Sequence, residues 1–124
     1  MNLQDYKGVY VFVQQVDNKI TGVSFELIGK AKELAAAMDT QVTAILLGYN
    51  VESLCDELAE YGADKIVMVD NEALEPYRTE PYAYAISAII EKYKPSVVLY
   101  GATAIGRDLA PRVSARVRTG LTAD

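Results

Sequence analysis

Residues 96–108 read SVVLYGATAIGRD. An apolar run, Ser96–Gly101, ends on a glycine, and a second glycine, Gly106, follows after four residues, leading into Arg107 and Asp108. A valine-rich run that stops at a glycine-bracketed turn and continues into a basic segment, LAPRVSARVR, reads as a strand, a tight turn and a helix. The glycine spacing is one step from the phosphate-cradling pattern G-x-x-x-x-G-K-[ST]. That pattern needs a lysine for the terminal phosphates and a hydroxyl for magnesium, and Arg107 and Asp108 stand in their places. It also belongs after the first strand of its fold, whereas this turn follows the fourth. Two readings stay open. The loop is a backbone nest that takes an anion through Gly101, Thr103, Gly106 and Arg107, or it is a tight turn in which Arg107 pairs with Asp108.

The same unit recurs upstream. Gly8–Gln15 (GVYVFVQQ) is rich in valine and aromatics and reads as a strand buried on both faces. A polar loop, VDNKITG, follows. From Ser24 the period changes, with Leu27, Ile28, Ala31, Leu34, Ala35 and Met38 on one helical face and Ser24 placed to cap it. Gln41–Gly48 is the second strand. Val51–Tyr61 is the second helix, closed by Gly62 in a left-handed conformation. Lys65–Asp70 is the third strand. Pro81 opens the third helix, whose stripe is Ala83, Ile86, Ile89, Ile90 and Tyr93, and Pro95 stops it. Pro111 interrupts the fourth helix. Its cost is least if Asp108 caps that helix and Pro111 is its third residue; otherwise the helix starts earlier and bends.

Strands that alternate with amphipathic helices specify an α/β fold, a parallel sheet with helices on both faces. Ligands of such sheets sit beyond the carboxyl ends of the strands, where strand order reverses. If the first and fourth strands are neighbours there, the loops at 16–22 and 101–106 face each other.

Composition narrows the functions. The 124 residues suit one domain, and 51% hydrophobic residues are enough for a core. A net charge of −5 argues against nucleic acid or an anionic membrane as partner. Arg107, Arg112, Arg116 and Arg118 nevertheless crowd the last quarter, while Glu52, Asp56, Glu57 and Glu60 lie earlier. Arg112 and Arg116 are i,i+4 neighbours and repel unless an acid answers them, so they form either a solvated basic face or a docking surface for an acidic partner. The single cysteine, Cys55, excludes an internal disulfide and fits a reducing cytoplasm. Carboxylates around it should raise its pKa. There is no histidine, hence neither the commonest metal ligand nor the commonest general base. No metal site and no catalytic residue are expected, and neither a membrane span nor a signal peptide is visible. Tyr77, Tyr82 and Tyr84 cluster at the start of the third helix, as core rims or as an interface.

Several segments together resemble the N-terminal domain of the electron transfer flavoprotein α-subunit: VFVQQVDNKITGVSFELIGKAKELA, VTAILLG, YGADKIVMVD and, most specifically, KPSVVLYGATAIGRDLAPRVSARVRTGLTAD. The resemblance covers essentially the whole chain and looks closest to α-subunits of anaerobic bacteria, which often partner acyl-CoA dehydrogenases and in some cases bifurcate electrons. It implies a Rossmann-like fold related to adenine nucleotide α-hydrolase domains and a heterodimer with a β-subunit. It also implies that residues 1–124 are the N-terminal domain of a longer subunit, whose FAD-binding C-terminal domain lies outside this chain. AMP or a second FAD would then bind in the β-subunit. Arg107, Asp108, Arg112 and Arg116 become interface or structural residues. A truncated sheet should expose an edge, so self-association of the fragment is expected. The rival expectation is a stand-alone adenine-nucleotide-binding domain; a third is a pure interaction module. The family pattern often has an acidic residue near the end of the first strand, where this chain has Gln14 and Gln15.

Overall fold

The computed structural model describes residues 6–117. Arg118 and the 119–124 end of the family signature lie outside the described residues. In chain order the elements are β1 (Val9–Val13), a short ribbon of β2 (Gln15–Val16) and β3 (Lys19–Ile20), α1 (Gly22–Met38), β4 (Val42–Gly48), α2 (Cys55–Tyr61), β5 (Lys65–Asp70), α3 (Thr79–Tyr93), β6 (Val97–Leu99) and α4 (Ala104–Val117).

Four strands form one parallel sheet in the order β5-β4-β1-β6. Val9 pairs with Val42 on one side and with Val97 on the other. The chain thus winds outward from β1 through β4 to β5 and returns to β1's other side at β6, so the order reverses between β1 and β6. This is the Rossmann-like α/β arrangement expected from the sequence, with the 16–22 and 101–106 loops at the reversal.

All five residues of β1 are buried. Their alternation explains why the run lacks a polar face. Val9, Val11 and Val13 point into one core with Val42, Ala44 and Leu46, under Ile28, Ala31 and Ala35 of α1 and Leu58 of α2. Tyr10 and Phe12 point into the other with Ile45 and Leu47, under Tyr82, Ala83, Ile86 and Ile89 of α3 and Leu109 and Val113 of α4. Each fully buried side chain of this size contributes about 2 kcal/mol.

Helix ends decide several details. Gly62 adopts φ 119° past α2, where its N–H bonds to the Ala59 and Leu58 carbonyls, as expected of a glycine closing a helix. Lys94 takes the left-handed conformation after α3 and Pro95 follows. Pro81 lies in the first turn of α3, which begins at Thr79. The segment expected to be one helix from Val51 is a 3₁₀ turn, Glu52–Leu54, followed by α2 proper. Met38 and Tyr93, assigned to apolar stripes, are exposed at their helix ends.

The cap of α1 is Thr21 rather than Ser24. The helix begins at Gly22, within the segment read as loop, and the Thr21 side chain accepts from the Ser24 N–H. Ser24 has a different task. Its fully buried hydroxyl accepts from the Gln14 N–H at 2.8 Å and is 3.0 Å from the Gln14 carbonyl. The preceding polar loop is a hairpin whose turn residues, Asp17 and Asn18, have φ 51° and 61°. Such a turn suits the strand twist and favours Asp and Asn. Truncating Ser24 leaves a buried N–H unmatched. Ser24→Ala is therefore expected to cost roughly 1–3 kcal/mol, read as a lower urea midpoint at unchanged slope.

Candidate functional site at the sheet reversal

The two loops at the reversal touch through side chains. Gln14, the first residue beyond β1, accepts at Oε1 from the Thr103 hydroxyl at 2.8 Å. Thr103 in turn caps α4. Its Oγ1 accepts from the Gly106 N–H at 3.0 Å, and its carbonyl accepts from the Arg107 N–H at 2.8 Å. Asp108 is therefore not the cap. It lies in the second turn, and Pro111 is well inside the helix. The sequence favoured Asp108 because an interior proline forfeits a hydrogen bond to the residue four before it. Thr103 offered the same capping chemistry five residues earlier.

Both glycines of the loop are explained by close approach. A Cβ on Gly106 would overlap the carbonyl oxygen of Gly101, and one on Gly101 would stand 2.7 Å from Cγ1 of Val23 at the start of α1. The pair sets how closely α4 and α1 approach the sheet end.

Arg107 and Asp108 do not pair. Asp108 accepts from the Tyr77 hydroxyl at 2.8 Å and from the Thr79 hydroxyl, across from α4 to the start of α3. Those two hydrogen bonds, Thr79 first, hold its carboxyl below the usual aspartate range, and nearby Arg112 adds to the effect. Arg107 is exposed, and its guanidinium has no partner among the described residues. Arg112 and Arg116 find their acid in Glu80, at 2.9 and 3.0 Å. One carboxylate thus joins both arginines of α4 to α3, and Arg116 also lies 5.9 Å from the Tyr84 ring centroid. All three charged side chains are well exposed, so each pair contributes at most about 1 kcal/mol. Of the tyrosines, Tyr82 is buried and donates to the Leu74 carbonyl at 2.7 Å, whereas Tyr84 is 68% exposed. Burial, more than Glu52 and Asp56, pushes the Cys55 thiol up.

Beside the reversal, beyond the ends of β1 and β4, is a cleft of about 270 Å³. Its walls include Phe12, Gln14, Tyr77, Tyr82 and Ile105, and Asp17 and Glu75 are at its rim. Two donors of the adjoining 101–106 loop are already engaged, and the cleft carries no cation for a phosphate among the described residues. The Thr103 hydroxyl is engaged with Gln14, the Gly106 N–H is capped, and the charged groups lining the cleft are carboxylates. The volume is also below the roughly 300–1,000 Å³ typical of small-molecule sites. A flavin adenine dinucleotide does not fit these residues. Among the described residues no three His, Cys, Asp or Glu side chains are grouped to hold a metal ion, and no helix is long and apolar enough to cross a membrane.

Residues 9–124 match the electron transfer flavoprotein domain. The chain belongs to the electron transfer flavoprotein family. It is 49% identical over 122 residues to the electron transfer flavoprotein subunit alpha of Thermoanaerobacterium thermosaccharolyticum, covering 98% of this chain and 37% of that subunit. It is 48% identical over 124 residues to the electron transfer flavoprotein subunit alpha of Clostridium acetobutylicum, again 37% of that subunit. It is 51% identical over 119 residues to the lactate dehydrogenase (NAD(+),ferredoxin) subunit LctC of Acetobacterium woodii, covering 96% of this chain and 28% of that subunit. The chain thus spans little more than a third of the α-subunits it matches. It corresponds to their N-terminal domain, and the glycine-bracketed turn of this family member is the one built around Thr103.

Two measurements test this geometry. Gly106→Ala forces a Cβ into the Gly101 carbonyl and is expected to lower stability by about 2 kcal/mol, although alanine is the better helix former. A urea midpoint equal to or above the parent's contradicts the contact. For Asp108 the folded pKa is depressed. Its stabilising effect is therefore complete above the unfolded value, about 3.9, and is lost as pH falls through the folded one. Carbon-detected NMR of its carboxyl should titrate below ordinary aspartates. Thr79→Val should raise that midpoint more than Tyr77→Phe does.

Proposed function

We propose that this domain serves an electron transfer flavoprotein as an assembly element. It would dock on a β-subunit and frame the β-subunit's nucleotide region, while FAD is carried elsewhere in the intact α-subunit. Electrons would pass from a dehydrogenase onto that FAD and on to an acceptor, with no catalytic residue supplied by this domain. The observation that carries the reading is near-50% identity across the whole chain to α-subunits little more than a third of whose length it covers, combined with a switch-point loop in which the Thr103 hydroxyl and the Gly106 N–H are already engaged. One relative is named as a subunit of a lactate dehydrogenase, which favours a dehydrogenase as electron donor; an acyl-CoA dehydrogenase is the donor we propose. A reducing cytoplasm is the compartment consistent with the lone, half-buried Cys55.

Contact with the β-subunit is assigned to the outer face of α4. Among the described residues Arg107 is the arginine of α4 without an internal partner, while Asp108, Arg112 and Arg116 fix the helix against α3. Among the described residues β6 pairs only with β1, which leaves its other edge open. The same edge is where copies of the chain would self-associate in the absence of a partner.

Light scattering on the chain alone and mixed with an electron transfer flavoprotein β-subunit tests the reading. The mixture should show a one-to-one complex that Arg107→Glu weakens. Failure of the parent chain to bind the β-subunit overturns assembly. Micromolar AMP binding by the chain alone, lost in Gly106→Val, would instead establish the nucleotide-binding alternative.

A further inference from the structure

We infer that the cleft beyond β1 is a receptor for a single arginine side chain presented by a partner protein. The inference rests on the cleft alone and does not require the subunit assignment.

The walls are aromatic and fixed. Tyr77 and Tyr82 meet edge to face with centroids 5.0 Å apart, and Phe12 meets Tyr82 at 6.3 Å. Each tyrosine is pinned by its hydroxyl, Tyr77 to Asp108 at 2.8 Å and Tyr82 to the Leu74 carbonyl at 2.7 Å. The Tyr82 bond also anchors the chain just before Glu75, so the rim is held with the wall. Rings already immobilised lose little further freedom when a guest arrives.

The rim sets the sign of the guest. Asp17 and Glu75 line the cleft and no lysine or arginine does so among the described residues. A phosphate or carboxylate would be repelled there. A cation is attracted both by the carboxylates and by the ring faces. Size then separates the sources. About 270 Å³ lies under the usual range for a free ligand but admits one long side chain. Among side chains, arginine alone combines a stem that packs on apolar walls, a planar head that stacks on tyrosine, and a fork that matches a carboxylate. Arginines seated in aromatic pockets are also frequent anchors of protein interfaces. The chain's net charge of −5 agrees with a basic partner surface.

The probe is N-acetyl-arginine amide, titrated into the ¹⁵N-labelled chain, with N-acetyl-lysine amide and AMP in parallel. Arginine amide should move the amide signals of Gln14, Asp17, Tyr77 and Ile105 with millimolar half-saturation, lysine amide should act several-fold more weakly, and AMP should leave them in place. Asp17→Asn combined with Glu75→Gln should weaken the arginine response several-fold. Asparagine tolerates the left-handed backbone at position 17, and the exposed Glu75→Gln variant alone gives the same comparison if the double variant does not fold. No response to arginine amide, an equal response to lysine amide, an unchanged response in the variants, or movement of the same signals by AMP each overturns the inference.

Discussion

Gln14 is where β1 ceases to be a strand, in the middle of the molecule and between two loops. Its N–H would be stranded there without the hydroxyl of Ser24, which accepts from it and also meets the Gln14 carbonyl. Its carbonyl also accepts from the Thr21 N–H and is 3.1 Å from the Thr21 hydroxyl, and its side chain receives Thr103. One residue therefore ties the central strand to the starts of α1 and α4. Because β1 feeds both cores, the position of that knot fixes how helices on opposite faces of the sheet meet its carboxyl edge.

Neighbouring ties follow the same logic of side chains closing backbone gaps. Asp70 at the end of β5 accepts from the N–H groups of Asn50 and Val51, each at 2.9 Å. Gln15 accepts from the Asn18 N–H at 2.9 Å, within the ribbon turn. Polar residues along this edge are thus largely engaged with the protein itself. Two of the groups expected to meet an anion, the Thr103 hydroxyl and the Gly106 N–H, are among those engaged, although the topology is one that elsewhere binds nucleotides.

The layered fold was legible because it rests on period. Runs such as VYVFV and VTAILLG have no polar alternation, and the helical stripes between them repeat at 3.6 residues. The site was less legible. The reversal itself could be located, since strand order in this class leaves few choices, and the two glycines could be found. The Asp17-Asn18 hairpin carries a usable signal, an Asp-Asn pair that favours a left-handed turn, but the polar composition of residues 16–22 by itself indicates only a loop. The cost of Pro111 inside a helix favours Asp108 as the cap, whereas its carboxylate is claimed by hydroxyls 31 and 29 residues away. Glu80, which answers the repulsion between Arg112 and Arg116, lies 32 residues before the first of them. No window of sequence contains such partners. They exist only once β6 has brought α4 beside α3.

The overlap that bars any side chain from position 106 has a consequence for how such chains are recognised. The clash is with the chain's own carbonyl oxygen and not with a ligand. A purely steric requirement is indifferent to chemistry. It demands glycine at position 106 whatever the loop binds, so the four-residue spacing of Gly101 and Gly106 carries no information about a ligand. That information lies in the polar residues beside the glycines, Thr103, Arg107 and Asp108, and in what each of them touches.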